Sequence, residues 1–136
     1  MTRSLTFAAA LIAVAAPAFA DGDAAKGEKE FRKCKSCHSI ASASEDIVKG
    51  GKTGPNLYGV IGRTAGTAEG FKYGDDIKKL GETGFTWEED ALAEYVQDPK
   101  RFLQDHLDDK TAKSKMTFKL AKGGEDIAAY LATFSD

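Results

Sequence analysis

The chain has 136 residues, with 19 basic and 21 acidic side chains and a net charge of −2, which suits one small domain. A chain that is slightly acidic overall, with no nucleic-acid-binding motif, does not have the profile of a nucleic-acid-binding protein. After the first 20 residues, no segment is apolar enough to cross a membrane.

The first 20 residues have the organisation of a secretory signal peptide. Arg3 supplies the positive charge, the 12-residue stretch Leu5–Ala16 is almost entirely apolar, and Ala18-Phe19-Ala20 has the small-x-small pattern of a cleavage site. We expect cleavage after Ala20, export to the periplasm and one mature domain, residues 21–136. An uncleaved membrane anchor is the alternative, and a span would need roughly 20 apolar residues.

Residues 23–33 are predicted to form the first helix. Asp23 is suited to be its N-cap, and the Glu and Lys residues that follow favour a helix. Gly27 and Phe31 are four residues apart and therefore share one helix face. Since a glycine inside a helix costs up to about 1 kcal/mol relative to alanine, close approach of another helix is the expected reason for Gly27.

The stretch Cys34-Lys35-Ser36-Cys37-His38 is the attachment signature of a c-type haem. Each cysteine can add to one vinyl group of the porphyrin, and the histidine that follows can ligate the iron. A redox-active dithiol would not need His38, and a zinc site would need a second ligand pair, whereas these are the only cysteines in the chain. The motif therefore predicts one haem c attached through Cys34 and Cys37, with His38 as an iron ligand.

Glycine and proline punctuate residues 39–75, which are predicted to form loops and turns with at most short helical pieces. A long loop region in a small domain usually needs something to wrap around, and here that would be the haem.

Two more helices are predicted in the second half of the chain. Thr86 and Glu89 form a capping box that starts one helix, and Asp98-Pro99 ends it. The other starts near Glu125 and carries an apolar stripe of helical period: Ile127, Tyr130, Leu131 and Phe134. Because no alternating strand pattern is present, the predicted fold class is all-α.

The second axial position of the iron decides between functions. An open position favours ligand binding or peroxide chemistry, whereas a strong ligand on both faces favours electron transfer. Met116 is the one methionine left after signal cleavage, and its neighbours are basic and polar, which is unusual for a methionine in a core. We predict Met116 as the second ligand, with core packing as the alternative. His106 is the other candidate, but its acidic neighbours indicate a solvated surface side chain.

With both ligands placed, the chain resembles the class I cytochromes c, and within them cytochrome c2 of purple bacteria and the related c550-type carrier of denitrifiers. Beyond the haem motif, four runs carry the resemblance: Gly22–Gly27, Lys52–Gly59, Gly62–Thr64 and Lys115–Phe118. The resemblance covers essentially all of residues 21–136. It implies the small cytochrome c fold, in which helices and loops wrap around one covalently bound haem c.

The resemblance also implies roles for residues around the haem. Pro55 should offer its carbonyl to the outer ring N–H of His38, and the Tyr95 hydroxyl should approach the sulfur of Met116. Three residues match the groups that hold the haem propionates: Arg63, Tyr73 and Trp87. Four residues match the crossing of the first and last helices: Gly27, Phe31, Tyr130 and Leu131. An ordinary core or turn position is the alternative for each of them.

Two segments are longer than in the short mitochondrial form of the family. Ala41 to Lys49 reads like an insertion, and extra residues lie near Leu103 to Thr111. Both lengths suit the larger bacterial subtype.

Charge distribution bears on the partner. Removing the leader takes away one basic residue, Arg3, and no acid, so the net charge becomes −3. Lys110 to Lys122 nevertheless contains no acid and five lysines: Lys110, Lys113, Lys115, Lys119 and Lys122. Together with Lys33 and Lys35 they are expected to surround an exposed haem edge and steer acidic docking surfaces toward it, although a solvated face is the alternative.

The resemblance implies an electron carrier rather than an enzyme. Its donor would be a cytochrome bc complex, and its acceptor a photosynthetic reaction centre or a terminal oxidase of a respiratory chain. We expect a monomer that docks transiently and does not bind nucleic acid. The alternative function is a small c-type haem peroxidase or ligand-binding haem protein, which would need an open distal face.

Overall fold

The computed structural model describes residues 22–136, so the predicted signal peptide and its cleavage site lie outside the described residues. Within this range the elements in chain order are α1 (Ala24–Glu30, continued by a 3-10 turn, Phe31–Lys33), β1 (Ile40–Ala41), β2 (Asp46–Val48), α2 (Asp75–Glu82), α3 (Glu89–Gln97), α4 (Pro99–His106) and α5 (Gly124–Ala132). None of these helices is long or apolar enough to cross a membrane. The mainly helical class agrees with the prediction.

The first and last helices cross at the predicted residues. Asp23 caps α1, its carboxylate accepting hydrogen bonds from the backbone N–H groups of Ala25 and Lys26. Gly27 is buried against α5, and a Cβ atom there would collide with the backbone carbonyl of Asp126 and with Tyr130 Cβ. The Phe31 and Tyr130 rings pack beside this contact with their centroids 5.7 Å apart. The glycine is therefore needed for the close approach of the two helices.

Gly27→Ala should lower the free energy of unfolding of the holoprotein by about 2 kcal/mol, because the collision with backbone forces the helices apart. This loss should appear despite the better helix propensity of alanine. Denaturant unfolding measures it, with the exposed position Glu28→Ala on the same helix as the control. Equal stability of the glycine variant and the wild type would contradict a close helix crossing.

The capping box at Thr86 predicts the start of α3 two residues too early. Glu88, not Thr86, is the N-cap of α3, and it makes no side-chain capping bond. Thr86 instead pairs with Thr64 in an antiparallel bridge. The Trp87 N–H donates to the Arg63 carbonyl at 2.9 Å, and the Gly62 N–H donates to the Trp87 carbonyl at 2.7 Å. This pairing holds the backbone extended where the capping box would have bent it into a helix.

Three elements were not anticipated. The Ala41–Lys49 insertion contributes a small antiparallel hairpin, in which Ile40 lies opposite Val48. The helix α2 begins at Asp75, directly after the glycine-rich segment. The helix α4 begins at Pro99, which ends α3 and starts the next helix, since proline is favoured in a first turn and Asp98 caps it by accepting from the Arg101 N–H.

Candidate functional site

A cavity of about 260 Å³ is lined by residues from the 3-10 turn, the loops and helices α2 to α5. Every residue predicted for the site is in its wall: Cys34, Cys37, His38, Pro55, Arg63, Tyr73, Trp87, Tyr95 and Met116. The fold therefore brings together side chains that are spread over most of the chain. Their individual roles stay predictions.

The imidazole of His38 is held in one tautomer. Its Nδ1 lies 2.8 Å from the Pro55 carbonyl oxygen, which only accepts, so Nδ1 carries the hydrogen and Nε2 keeps its lone pair. Burial lowers the pKa of His38, so the neutral imidazole persists to lower pH than in a free side chain. A Cβ atom at Gly54 would collide with the ring, and the glycine therefore lets the loop pack flat against it. These features suit an imidazole that donates Nε2 to a metal.

The loop that carries Pro55 is itself braced by Asn56. The Asn56 side chain accepts from the Ala41 N–H at 3.0 Å and donates to the Ala41 carbonyl at 2.7 Å, so it attaches the loop to β1. Arg63 Nη1 donates to the Asn56 carbonyl at 3.1 Å and to the Tyr58 carbonyl at 3.3 Å. These bonds fix the segment just after the carbonyl on which His38 depends.

Arg63 is more than half buried in the cavity wall, and burial lowers the pKa of its guanidinium. Among the ion pairs of residues 22–136 it has no carboxylate partner. A buried cation without a counter-ion is costly, so this position suits an anionic group of a ligand. Tyr73 is available beside it, since its hydroxyl oxygen accepts from the Ala68 N–H at 3.1 Å and its own hydrogen stays free to donate.

Trp87 and Tyr95 form one wall of the cavity. Both are buried, and their ring centroids lie 4.9 Å apart in an edge-to-face arrangement. Burial raises the pKa of the Tyr95 phenol, so the hydroxyl keeps its proton and can act as a hydrogen-bond donor. The extended pairing of residues 86–87 with 62–64 is what places the tryptophan in this wall.

Met116 lies half-buried in the loop between α4 and α5 and lines the same cavity as His38. The lining contains no carboxylate and no histidine other than His38. His106 lies outside the cavity, exposed and stacked on Phe102 with ring centroids 3.8 Å apart. An acid–base pair of the kind that peroxide chemistry uses is therefore absent from this wall.

The predicted lysines lie in different places relative to the cavity. Three lysines line the cavity: Lys33, Lys113 and Lys115. Lys119 makes an ion pair with Asp98 at 2.9 Å, Lys33 pairs with Glu30, and Lys122 lies in a separate hollow near Lys26 and Lys29. The basic character beside the cavity thus comes from the end of α1 and from the loop that carries Met116.

Comparison with known proteins identifies the family. The chain matches no protein-family model. It is 65% identical to cytochrome c2 of Rhodobacter capsulatus over 135 residues, covering 98% of each chain, and 61% identical to cytochrome c-551 of Roseobacter denitrificans over 136 residues, covering 99% of this chain and 97% of the relative. The chain belongs to the class I c-type cytochromes. The crystal structure of the Rhodobacter capsulatus cytochrome c2 superposes on this cytochrome with a TM-score of 0.81 at 66% identity, covering 82% of this chain and 97% of that one.

A second solved structure agrees with the assignment. Ferric cytochrome c-550 from Paracoccus versutus matches with a TM-score of 0.82 at 55% identity, covering 85% of this chain and all of that one. The fold of this cytochrome is therefore the cytochrome c fold, its activity is electron transfer rather than catalysis, and its cofactor is one covalent haem c.

The cavity fits a haem on its own chemistry. Cys34 and Cys37 are free thiols at its edge, apolar side chains such as Leu57, Leu92 and Leu131 line it, and Arg63 offers an unpaired cation for a propionate. When bound, the haem supplies an iron that accepts and releases one electron. The chain supplies two sulfurs for attachment, a neutral imidazole fixed by Pro55 and a thioether. It also supplies an apolar wall that excludes water.

Several residues of the site could not be found from the sequence. Asn56 belongs to the run Lys52–Gly59 that carries the resemblance, but its bonds to Ala41 depend on the hairpin. Ser114 donates to the Met116 carbonyl at 2.9 Å, and Asp76 reaches the same loop from α2. Neither Ser114 nor Asp76 belongs to a sequence motif. Each bonds to a loop whose position is known only once the chain is folded.

Proposed function

We propose that this cytochrome is a monomeric periplasmic electron shuttle whose haem iron is ligated by His38 and Met116. A thioether opposite an imidazole favours ferrous iron relative to two imidazoles and raises the reduction potential, which suits a carrier. The observation that carries the proposal is that one cavity brings together an imidazole held in one tautomer, two thiols and one thioether. Among residues 22–136, no carboxylate lines this cavity.

The proposed donor is a cytochrome bc complex, and the proposed acceptor is a photosynthetic reaction centre or a terminal oxidase. Lys33, Lys113 and Lys115 support docking to an acidic surface, because they place positive charge beside the cavity in a protein of negative net charge. Export with cleavage after Ala20 is part of the same proposal and is supported by the organisation of residues 1–20.

Lys33→Glu and Lys113→Glu should each slow association with an acidic acceptor several-fold at low salt and flatten the salt dependence. Attraction between exposed charges acts over a Debye length of about 8 Å at physiological salt, so it is lost as salt rises. The electron-transfer step within the complex should change little. Flash or stopped-flow kinetics measures the association rate and the electron-transfer rate. Measurements with purified reaction centres and with oxidase, at several ionic strengths, rank the two acceptors.

The matched controls are Lys78→Glu and Lys100→Glu, which make the same charge change at exposed positions outside the cavity wall. Lys79 is unsuitable as a control, because its partner Asp76 also holds the backbone of Lys113. Equal effects of all four substitutions would mean that net charge rather than a docking face controls association. The protein should be taken from the periplasmic fraction, where its intact mass should correspond to residues 21–136 plus one haem.

A further inference from the structure

The loop that carries Met116 is attached to α2 by one carboxylate. Asp76 Oδ2 accepts a hydrogen bond from the Lys113 backbone N–H at 2.8 Å, across 37 residues of chain. Its other oxygen, Oδ1, lies 3.0 Å from Lys79 Nζ in the same helix. The side chain of Asp76 is only 14% exposed, so this is not a fully solvated contact. Hydrogen bonds to an ionised acceptor are stronger than neutral ones.

The loop is attached again at its far end, where the Leu120 N–H donates to the Val96 carbonyl at 2.7 Å and Lys119 pairs with Asp98 at 2.9 Å. Ala112 is buried before it and Leu120 after it, but Lys113, Lys115, Thr117, Phe118 and Lys119 are all exposed. The Ser114 hydroxyl bonds to the Met116 carbonyl within the loop and also to the Tyr95 side chain of α3. Lys115 Nζ donates to the Lys72 carbonyl at 2.8 Å, through a long and flexible side chain. Of the hydrogen bonds described for residues 113–119, the one to Asp76 is the bond that holds the loop backbone to another element.

We propose that Asp76 is a positioning residue for Met116, holding the loop in the place from which the thioether reaches the iron. This inference rests on the proposed ligation by Met116. Segments with few buried contacts open locally more readily than the core, and a tether at their base shifts that equilibrium toward the closed form. The bond from Lys113 and the ion pair with Lys79 lower the pKa of Asp76, so the acceptor is ionised throughout the neutral range.

Binding of added imidazole to the ferric holoprotein measures how often the loop opens. Imidazole needs the position that Met116 fills, so its apparent affinity is proportional to the open fraction. Asp76→Ala should raise that affinity about tenfold, the effect of losing one charge-assisted bond. It should also weaken the absorption band that arises from thioether ligation of ferric haem.

The adjacent aspartate offers a matched control. Asp75 is 88% exposed and pairs only with Lys78, so Asp75→Ala removes the same charge without touching the loop and should leave imidazole affinity unchanged. Asp76→Asn keeps an oxygen that can accept from Lys113 and should restore most of the wild-type behaviour. Lys79→Met removes only the ion pair and should have a smaller effect than Asp76→Ala.

The outcomes separate this inference from the proposal on which it rests. If the wild type binds imidazole as tightly as Met116→Leu does, ligation by Met116 is wrong. Suppose instead that the wild type resists imidazole, that Met116→Leu binds it and that Asp76→Ala behaves like the wild type. Ligation by Met116 then stands, and the positioning role of Asp76 is overturned. Equal effects of Asp75→Ala and Asp76→Ala would also overturn it, because charge alone would then explain the change. Denaturant unfolding of the same variants shows whether global stability has moved.

Discussion

Met116→Leu should retain covalent haem, lower the reduction potential and open the iron to carbon monoxide or azide. Leucine keeps an apolar side chain of similar volume in the half-buried position but removes the sulfur. The fall in potential should be on the order of 0.2 V, since axial ligands set haem potentials over a range of about 0.8 V. Potentiometric titration and ligand-binding spectra of the ferrous and ferric protein measure these changes.

Two comparisons make the Met116 experiment specific. Met116→Ala removes both the sulfur and the packing, so it should add a loss of stability to the same spectral and redox changes. Phe118→Leu changes an apolar side chain of the same loop that is 44% exposed, and it should leave the potential near the wild-type value. An unchanged potential and spectrum in Met116→Leu would show that Met116 is a core residue and that the iron has another ligand or none.

An electron carrier needs both axial positions filled and needs little movement on changing oxidation state. The imidazole side meets this requirement through a chain of fixed contacts, from Ala41 through Asn56 to Pro55 and His38. On the methionine side, residues 113–119 are mostly exposed, and the loop is held by Asp76 before Met116 and by the bond from Leu120 to Val96 after it. Under the proposed ligation, Met116 is therefore the ligand expected to leave first when the protein is perturbed, because the residues around it are the more exposed.

The features that the sequence predicts best are those whose residues are close together in the chain. The haem motif lies within five residues, and Asp23 with Gly27 and Phe31 forms a helix start and contact face readable from spacing alone. Spacing misled at Thr86, because a capping box competes with strand-like pairing to Thr64, and that partner lies 22 residues away. Helix α2 was missed because the glycine-rich segment before it gives no capping signal, and its first residue follows Gly74, which makes no side-chain cap.

Long-range polar contacts were beyond sequence reasoning for a different reason. The bond between Asp76 and Lys113 joins an ordinary surface-type aspartate to a backbone N–H, and neither partner carries a pattern. The ion pair between Lys119 and Asp98 could not be predicted for the same reason, because the two residues are 21 positions apart in the chain. The family resemblance added the residues expected around the haem, and the structure places all of those residues along the same cavity.

Cys34→Ser and Cys37→Ser should each abolish most of the haem-containing protein in the cell. Without attached haem, the fold would enclose a cavity of about 260 Å³ lined largely by apolar side chains. The apolar side chains of that cavity would then face water instead of the haem, and a small domain with a stability of roughly 5–15 kcal/mol has little margin for such a loss. Folding and haem attachment are therefore coupled, and a chain that loses one thioether should be left unfolded and open to proteolysis.

The order of the two events also follows from the site. In the folded geometry burial raises the pKa of Cys34 to about 11, so the nucleophilic thiolate is much rarer there than for an exposed cysteine. Attachment should accordingly precede closure of the fold. Haem-stained gels and absorbance of periplasmic extracts measure the yield, with Ser36→Ala, which changes the residue between the two cysteines, as the control expected to match the wild type. Normal yields of stable holoprotein from both single-cysteine variants would show that neither thioether is needed for folding.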